Sequence, residues 1–274
     1  MAIVAQISLK IDNFNNSLLG FTILALLFYI YMEIKKHIPN LFSLGNLFSG
    51  ILATLFAVHG EFEFVAIFVS LGIFLDFFDG YFARILTTSS DLGKQLDSLA
   101  DMVTSGLVPG IVMFNLLENK QIRVGALKDE FEITSFVSFL GLILTLGACY
   151  RLAKFNIDTR QSESFIGLPT PAMSLLVVFL PLVQVHTEVI FLNEIISNDY
   201  FLIGLTLILS YLMNAEISFF SLKFKDFSFR NHRFKYVLIS LSIILVILYK
   251  YLAIPFIIII YIILSMIKNL IQRG

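Results

Sequence analysis

Four aspartates lie within or at the edges of two apolar stretches of the chain. The sequence from position 76 reads DFFDGYFARILTTSSDLGKQLDSLAD, and its four candidates are Asp76, Asp79, Asp97 and Asp101. An ionised aspartate at the centre of a bilayer costs about 2.5–3.5 kcal/mol, so four at full depth would cost on the order of 10 kcal/mol. Acidic residues in such a setting indicate a function.

The spacing of these aspartates places them on two helix faces. Asp76 and Asp79 are three positions apart, and Asp97 and Asp101 are four apart, so each pair shares one face of a helix. A helical hairpin turning between 85 and 92 brings the two faces together. The four carboxylates then repel one another unless a cation neutralises them.

Oxygen-only ligands favour Mg²⁺, Mn²⁺ or Ca²⁺, and four carboxylates match two ions at one site. Gly80 and Gly93 share the two acidic faces and allow a bulky ligand to approach the backbone. Arg84 adds a planar donor suited to phosphate oxygens. Asp97 or Asp101 alone could be a helix cap, but capping does not explain four acids at helical spacing. The residues therefore predict metal-dependent phosphotransfer.

Composition indicates that these residues lie in a membrane protein. The 274 residues are 58% hydrophobic and only 14% charged, whereas soluble domains carry about 25% charged residues. Stretches near the roughly 20 residues needed to cross a bilayer predict an all-α, polytopic transmembrane helical bundle of about eight core spans. The predicted spans are 41–58, 63–85, 97–117, 132–155, 170–192, 200–221, 235–250 and 252–270.

The first 31 residues are predicted to be a separate N-terminal extension. The apolar run from Leu18 to Met32 fits a short ninth span, an interfacial helix or a signal-like segment, and Met32 is an alternative start of translation. Six of the predicted spans lie within residues 32–225. Residues 226–274 are predicted to add two C-terminal spans.

Basic residues predict the orientation of these spans. With Lys35 and Lys36 in the cytoplasm, eight crossings place 14 of the 19 Lys and Arg residues on that side and four on the other. The acidic site then faces the cytoplasm.

The net charge of −1 gives no indication of nucleic-acid binding. The single cysteine, Cys149, excludes an intrachain disulfide, and the four histidines lack the spacing of a zinc site. The single cysteine and the lack of a transit-like N-terminus favour a bacterial inner-membrane protein.

The acidic segment resembles the CDP-alcohol phosphotransferase family of phospholipid synthesis. It fits the pattern D-x2-D-G-x2-A-R-x8-G-x3-D-x3-D at every fixed position between Asp76 and Asp101. The segments His37–Phe48 and Arg151–Pro171 resemble the phosphatidylserine synthase branch. The resemblance covers roughly 32–225, and it implies an integral membrane enzyme that is often a homodimer.

The resemblance implies a role for each residue of the pattern. Asp76, Asp79 and Asp97 would bind Mg²⁺ or Mn²⁺, and Asp101 would be the general base and a further metal ligand. The cytidine diphosphate part of the donor would be contacted by a set of small and polar residues, namely Asn40, Gly80, Ala83, Arg84 and Gly93. Asn40 also fits an ordinary helix cap.

The implied reaction transfers a phosphatidyl group from CDP-diacylglycerol to L-serine, giving phosphatidylserine and CMP. The serine carboxylate requires a cation, and Arg151 and Lys154 are the candidates, although both also fit anchoring at the membrane surface. Another acceptor in the same family remains open: glycerol 3-phosphate, inositol phosphate or a phospholipid. A cation transporter is the alternative from another class, because intramembrane acids also mark ion pathways.

Overall fold

A computed structural model describes residues 35, 37–88, 90–118, 136–158, 164–220 and 233–273. The predicted N-terminal extension lies outside the described residues. The described chain is helical apart from one short β-ribbon, and several helices are apolar enough to cross a membrane. The prediction of an all-α membrane protein is therefore confirmed.

The first half of the described chain forms five helices. They are α1 (His37–His59), α2 (Phe62–Ile85), α3 (Asp91–Asp101), α4 (Val108–Glu118) and α5 (Ile143–Ile157). A π-helical segment, Met102–Leu107, joins α3 to α4, and a 3-10 segment, Phe136–Leu142, precedes α5. These joined pieces form continuous stretches of 28 and 22 residues.

The second half adds five helices and two strands. They are β1 (Ser164–Ile166), α6 (Thr170–His186), α7 (Ile190–Ile196), α8 (Asp199–Asn214), β2 (Ser218–Phe220), α9 (Arg233–Tyr249) and α10 (Ile254–Arg273). Helix α6 is buried along most of its length and contacts α2, α4 and α10, so it forms the centre of the bundle.

A helix occupies each of the eight predicted spans. How many of these helices cross the membrane stays a prediction. By length and composition, four stretches of the described chain could cross a membrane, and a fifth if α7 and α8, which are bent by 68°, act together. The last of these stretches runs from Arg233 to Ile271. Lys250 interrupts it with φ +52°, and α10 folds back on α9.

Two predicted spans extend further than the helices that the structure contains. The span 170–192 ends at His186, and a separate short helix follows at Ile190. The span 200–221 ends at Asn214, because β2 pairs antiparallel with β1. Apolar composition alone does not distinguish a buried strand from the end of a helix.

Gly167 anchors the ribbon formed by β1 and β2 to α8. Its φ of +79° lies in the left-handed region, and a Cβ there would collide with the carbonyl oxygen of Met213. Its N–H donates to Ile217 O over 2.8 Å, and Leu168 N–H donates to Leu212 O over 2.9 Å. The glycine in the segment Phe165–Pro171 therefore has a structural role.

Candidate functional site

The turn between α2 and α3 brings three of the four aspartates together. Thr87 adopts φ +52° in this turn, and the Ser90 hydroxyl accepts a hydrogen bond from Gly93 N–H to cap α3. One carboxylate oxygen each of Asp76, Asp97 and Asp101 lies within 4.8 Å of the other two. The predicted hairpin thus produces a compact, half-buried acidic cluster.

The acidic cluster fits a divalent cation. Three carboxylates at this separation match the oxygen ligands that Mg²⁺ and Mn²⁺ prefer. Asp97 Oδ1 is buried and has no hydrogen-bond partner within the described part of the chain. A buried carboxylate oxygen without a donor is costly, and a bound cation would satisfy it.

Asp79 has a different environment from the cluster. Its carboxylate is 7% exposed and accepts a hydrogen bond of 2.6 Å from the Ser43 hydroxyl on α1. It lies beside Asp97 but is not part of the three-oxygen group. Asp79 is thus placed where it can serve as a ligand at the edge of the cluster.

Asp101 is held by a second residue of α1. Asn46 is fully buried, and its Nδ2 donates to Asp101 Oδ1 over 3.1 Å. The π-helical segment begins at the next residue, and π-helical turns occur frequently at functional sites. The hydrogen bond fixes the orientation of the carboxylate at this irregular turn.

Close packing around Thr104 sets the position of α1 and α2 against the π-helical segment. A Cβ on Gly50 would lie only 3.0 Å from Thr104 N, and a Cβ on Gly72 would lie 2.8 Å from Asn46 Oδ1. The Thr104 hydroxyl donates to Asn46 O over 3.1 Å. Glycines on both helices therefore allow the approach that brings Asn46 to Asp101.

A cleft with about 450 Å³ of empty space opens beside the acidic cluster. It is lined by both acidic faces and by the small and polar residues around them: Pro39, Asn40, Ser43, Asp79, Gly80, Ala83, Thr88, Ser90, Gly93, Lys94 and Asp97. A Cβ on Gly93 would lie 3.2 Å from Asn40 Oδ1, whereas one on Gly80 would meet only Arg84 Nη2, at 3.8 Å. Four of the five predicted nucleotide contacts line this cleft.

The fifth predicted nucleotide contact, Arg84, lies outside the lining of the cleft. The side chain is exposed, and its Nε donates to Gly80 O over 2.8 Å. The structure therefore places Arg84 next to the cleft, with its Nη2 close to Gly80.

The two predicted serine contacts have contrasting environments on α5. Arg151 is 6% exposed, lies near Asp101, and stacks over the Phe155 ring at 5.5 Å. No carboxylate of the described residues forms an ion pair with it, and its Nε has no hydrogen-bond partner there. Lys154 is instead paired with Glu216, at 2.7 Å.

Sequence reasoning missed Ser43 and Asn46. Both are polar residues of an otherwise apolar helix, and they follow Asn40 at intervals of three. That spacing places all three on one side of α1, which is a signal for a buried polar stripe. Their partners were not predictable, because α1 and the acidic helices are far apart in sequence.

Comparison with known proteins identifies the family. A family model described as CDP-alcohol phosphatidyltransferase matches residues 36–213. The chain belongs to this family. The family membership predicted from the acidic segment is therefore confirmed. The prediction that the protein is a transferase enzyme is confirmed as well.

Three similar relatives are each named CDP-diacylglycerol–serine O-phosphatidyltransferase. The protein of Bacillus subtilis (strain 168) is 34% identical over 149 residues, which cover 53% of this chain and 75% of the relative. The protein of Helicobacter pylori (strain J99) is 31% identical over 210 residues, or 76% and 81% of the two chains. The protein of Helicobacter pylori strain 26695 is 32% identical over 167 residues, which cover 58% of this chain and 65% of the relative.

Proposed function

We propose that this CDP-alcohol phosphatidyltransferase transfers a phosphatidyl group from CDP-diacylglycerol to L-serine, giving phosphatidylserine and CMP. The observation that carries the proposal is the convergence of Asp76, Asp97 and Asp101 beside the cleft lined by Asn40, Gly80 and Gly93. The names of the relatives support both substrates.

The acidic residues would hold Mg²⁺ or Mn²⁺, and the number of carboxylates fits two ions. Asp76, Asp97 and Asp101 form the compact ligand group, and Asp79 joins from the edge. When bound, the metal neutralises the diphosphate of the donor and stabilises the departing CMP. The cytidine diphosphate group would occupy the cleft, with Ala83 and the two glycines allowing it close to the backbone.

Asp101 is the proposed general base. Its carboxylate would take the proton of the serine hydroxyl as the oxygen attacks the phosphorus that carries diacylglycerol. The bond from this phosphorus to the CMP oxygen breaks, and CMP leaves. Asn46 occupies one oxygen of Asp101 as a donor, which holds the carboxylate in a single orientation.

Arg151 is the proposed partner of the serine carboxylate. A buried guanidinium without a carboxylate partner in the described chain is costly unless a ligand supplies the anion. Arg151 lies near Asp101, so an amino acid bound there would direct its hydroxyl toward the base. Lys154 is less suited, because Glu216 already neutralises it.

The position of the basic residues supports a cytoplasmic site in an inner membrane, where soluble serine meets a donor held by its acyl chains. The catalytic core would extend over residues 32–225, with residues 226–274 as two further spans. A homodimer is proposed by analogy with the family.

The test of this function is CMP release from CDP-diacylglycerol by the detergent-purified protein with each candidate acceptor. We expect release with L-serine and little with glycerol 3-phosphate, inositol phosphate or phosphatidylglycerol. Preference for one of the other acceptors would overturn the assignment of serine but leave phosphatidyl transfer intact. No CMP with any acceptor would overturn both.

A further inference from the structure

A second cavity, here called the Glu63 cavity, lies between α2, α6 and the turn that joins α9 to α10. Its volume of about 540 Å³ falls within the roughly 300–1,000 Å³ of small-molecule sites. Glu63, which lines it, precedes Asp76 on α2 by 13 residues, or roughly 20 Å of helix. None of its lining residues lines the cleft beside the aspartates. The Glu63 cavity is therefore separate from the proposed catalytic site.

The Glu63 cavity is an elongated space with apolar walls. Both helices contribute to these walls: Ala66, Ile67, Phe179 and Leu182. Along α2 the lining runs from Glu63 to Ser70, which is seven residues or roughly 10 Å of helix. Ile67 is exposed, so the cavity opens toward the surface of the bundle. Such a space suits an acyl chain of the bilayer, because an empty one loses the dispersion contacts of its walls.

Polar side chains meet at the end of the Glu63 cavity that is farther from the acidic cluster. Glu63 and Tyr251 line it, and His186 lies beside both, with Nε2 3.7 Å from the Glu63 carboxylate and its ring edge-on to Tyr251. His186 Nδ1 lies 3.1 Å from Leu182 O, which can only accept, so the neutral ring carries its proton on Nδ1. Nε2 then cannot donate to Glu63. Among the described residues, no hydrogen bond reaches this carboxylate.

The chemistry of the two parts of the cavity defines its occupant. A carboxylate without a hydrogen-bond donor favours a cationic group and disfavours an anionic one, and the apolar walls favour a hydrocarbon chain. The Tyr251 phenol makes no hydrogen bond to the described residues, so it can donate to a phosphate. We propose that the Glu63 cavity binds a zwitterionic phospholipid with a primary ammonium group. The ammonium lies on Glu63, and one acyl chain runs past Phe179 and Leu182.

The C-terminal part of the chain completes the Glu63 cavity. Tyr251 lies outside residues 36–213, which the family model matches. Its neighbour Lys250 adopts φ +52°, a conformation that costs energy for a lysine and that turns the chain back between α9 and α10. This turn places Tyr251 against His186. The lipid site therefore goes beyond the proposed transfer reaction and does not depend on it.

Native mass spectrometry of the detergent-purified protein measures the binding of the first lipid. The probes are phosphatidylethanolamine and its N-acetyl derivative, which keeps the chains and the phosphate but lacks the ammonium charge. Because the Glu63 side chain is half-exposed, we expect phosphatidylethanolamine to bind about fivefold more tightly than the derivative. Phosphatidylserine, which adds a carboxylate, should also bind less tightly than phosphatidylethanolamine.

Three variants locate the binding. Glu63→Gln should bind phosphatidylethanolamine and its N-acetyl derivative equally, because the amide carries no charge. Ser70→Phe should prevent binding of both lipids, because the added ring would fill the deep end of the cavity. Glu188→Gln is the matched control, since this exposed acid follows α6 at the same end of the bundle but does not line the cavity. It should bind both lipids as the wild type does.

Equal affinity of the wild type for the two probes, tighter binding of phosphatidylserine, or a preference that survives Glu63→Gln would overturn the inference. So would a dimer that Ser70→Phe dissociates without a change in lipid binding, since the cavity would then be a contact between two copies. If Ser70→Phe does not fold, photocrosslinking decides. Phosphatidylethanolamine with a diazirine in its acyl chain should label residues 179–182, and labelling confined to other helices would contradict the site. CMP release tests the proposed function separately.

Discussion

At the scale of single residues, the four aspartates of the motif have distinct environments. Asp101 accepts a hydrogen bond from Asn46 and lies near Arg151, and Asp79 accepts one from Ser43. Asp97 has a buried oxygen that no donor among the described residues contacts. These differences follow from what each carboxylate meets on the neighbouring helices. They support separate roles: Asp101 as the base next to the acceptor, and the others chiefly as metal ligands.

Asp101→Asn should lower kcat by about 10²–10⁴-fold, because the amide keeps the shape of the carboxylate but cannot accept the serine proton. Binding of CDP-diacylglycerol, measured separately on the purified protein, should stay close to that of the wild type. Asp91→Asn is the control, since Asp91 is fully exposed at the start of α3. Near-normal turnover of Asp101→Asn would refute its assignment as the base.

Removal of divalent metal should stop CMP release, and added Mg²⁺ or Mn²⁺ should restore it. A second readout is direct Mn²⁺ binding by calorimetry in the absence of substrates. Asp97→Asn should weaken this binding at least about tenfold, because it removes a carboxylate whose buried oxygen has no partner in the described part of the chain. Glu188→Gln, at an exposed position, should bind Mn²⁺ normally. Full activity in EDTA would argue against the metal site.

At the scale of elements, the acidic cluster depends on how closely α1, α2 and the π-helical segment approach one another. Thr104 occupies the point where all three meet, and the absence of side chains at Gly50 and Gly72 makes room for it. A shift of this contact moves Asn46 away from Asp101. Gly50 and Gly72 are thus part of the site, although neither of them lines the cleft.

Gly50→Ala should lower both the melting temperature and kcat, because its Cβ would press on the Thr104 backbone and force the helices apart. Overpacking of this kind costs about 1–3 kcal/mol of stability. Gly204→Ala is the matched control, since a Cβ there meets nothing within 4 Å and alanine favours a helix. If both variants melt and react like the wild type, the contact at Thr104 does not position the site.

At the scale of the whole molecule, the acidic cluster and the loop after α6 lie at opposite ends of the helical bundle. The acidic cluster lies toward one end, where α2 turns into α3, and the loop after α6 lies at the other. The pair of His186 and Glu63, 3.7 Å apart, marks this second end. The orientation predicted from the basic residues would place the acidic end in the cytoplasm.

Cysteine labelling tests this orientation in intact cells. In a Cys149→Ala background, Asp91→Cys should resist an impermeant thiol reagent, and Glu188→Cys should react with it. Both positions are exposed, so access is decided by the side of the membrane. Permeabilised cells provide the control, in which both cysteines should react. If only Asp91→Cys is labelled in intact cells, the predicted orientation is wrong and the acidic end faces outward.

The sequence by itself determined the membrane class, the acidic motif and the family, because hydrophobic composition and helical spacing are local properties. It also predicted that the two acidic faces meet, since only a short turn separates them. Only the tertiary structure decided that Ser43 and Asn46 hold Asp79 and Asp101, that Lys154 pairs with Glu216, and that Tyr251 packs against His186. These contacts join residues 36 to 65 positions apart, and they arise from packing between helices, which no local pattern records.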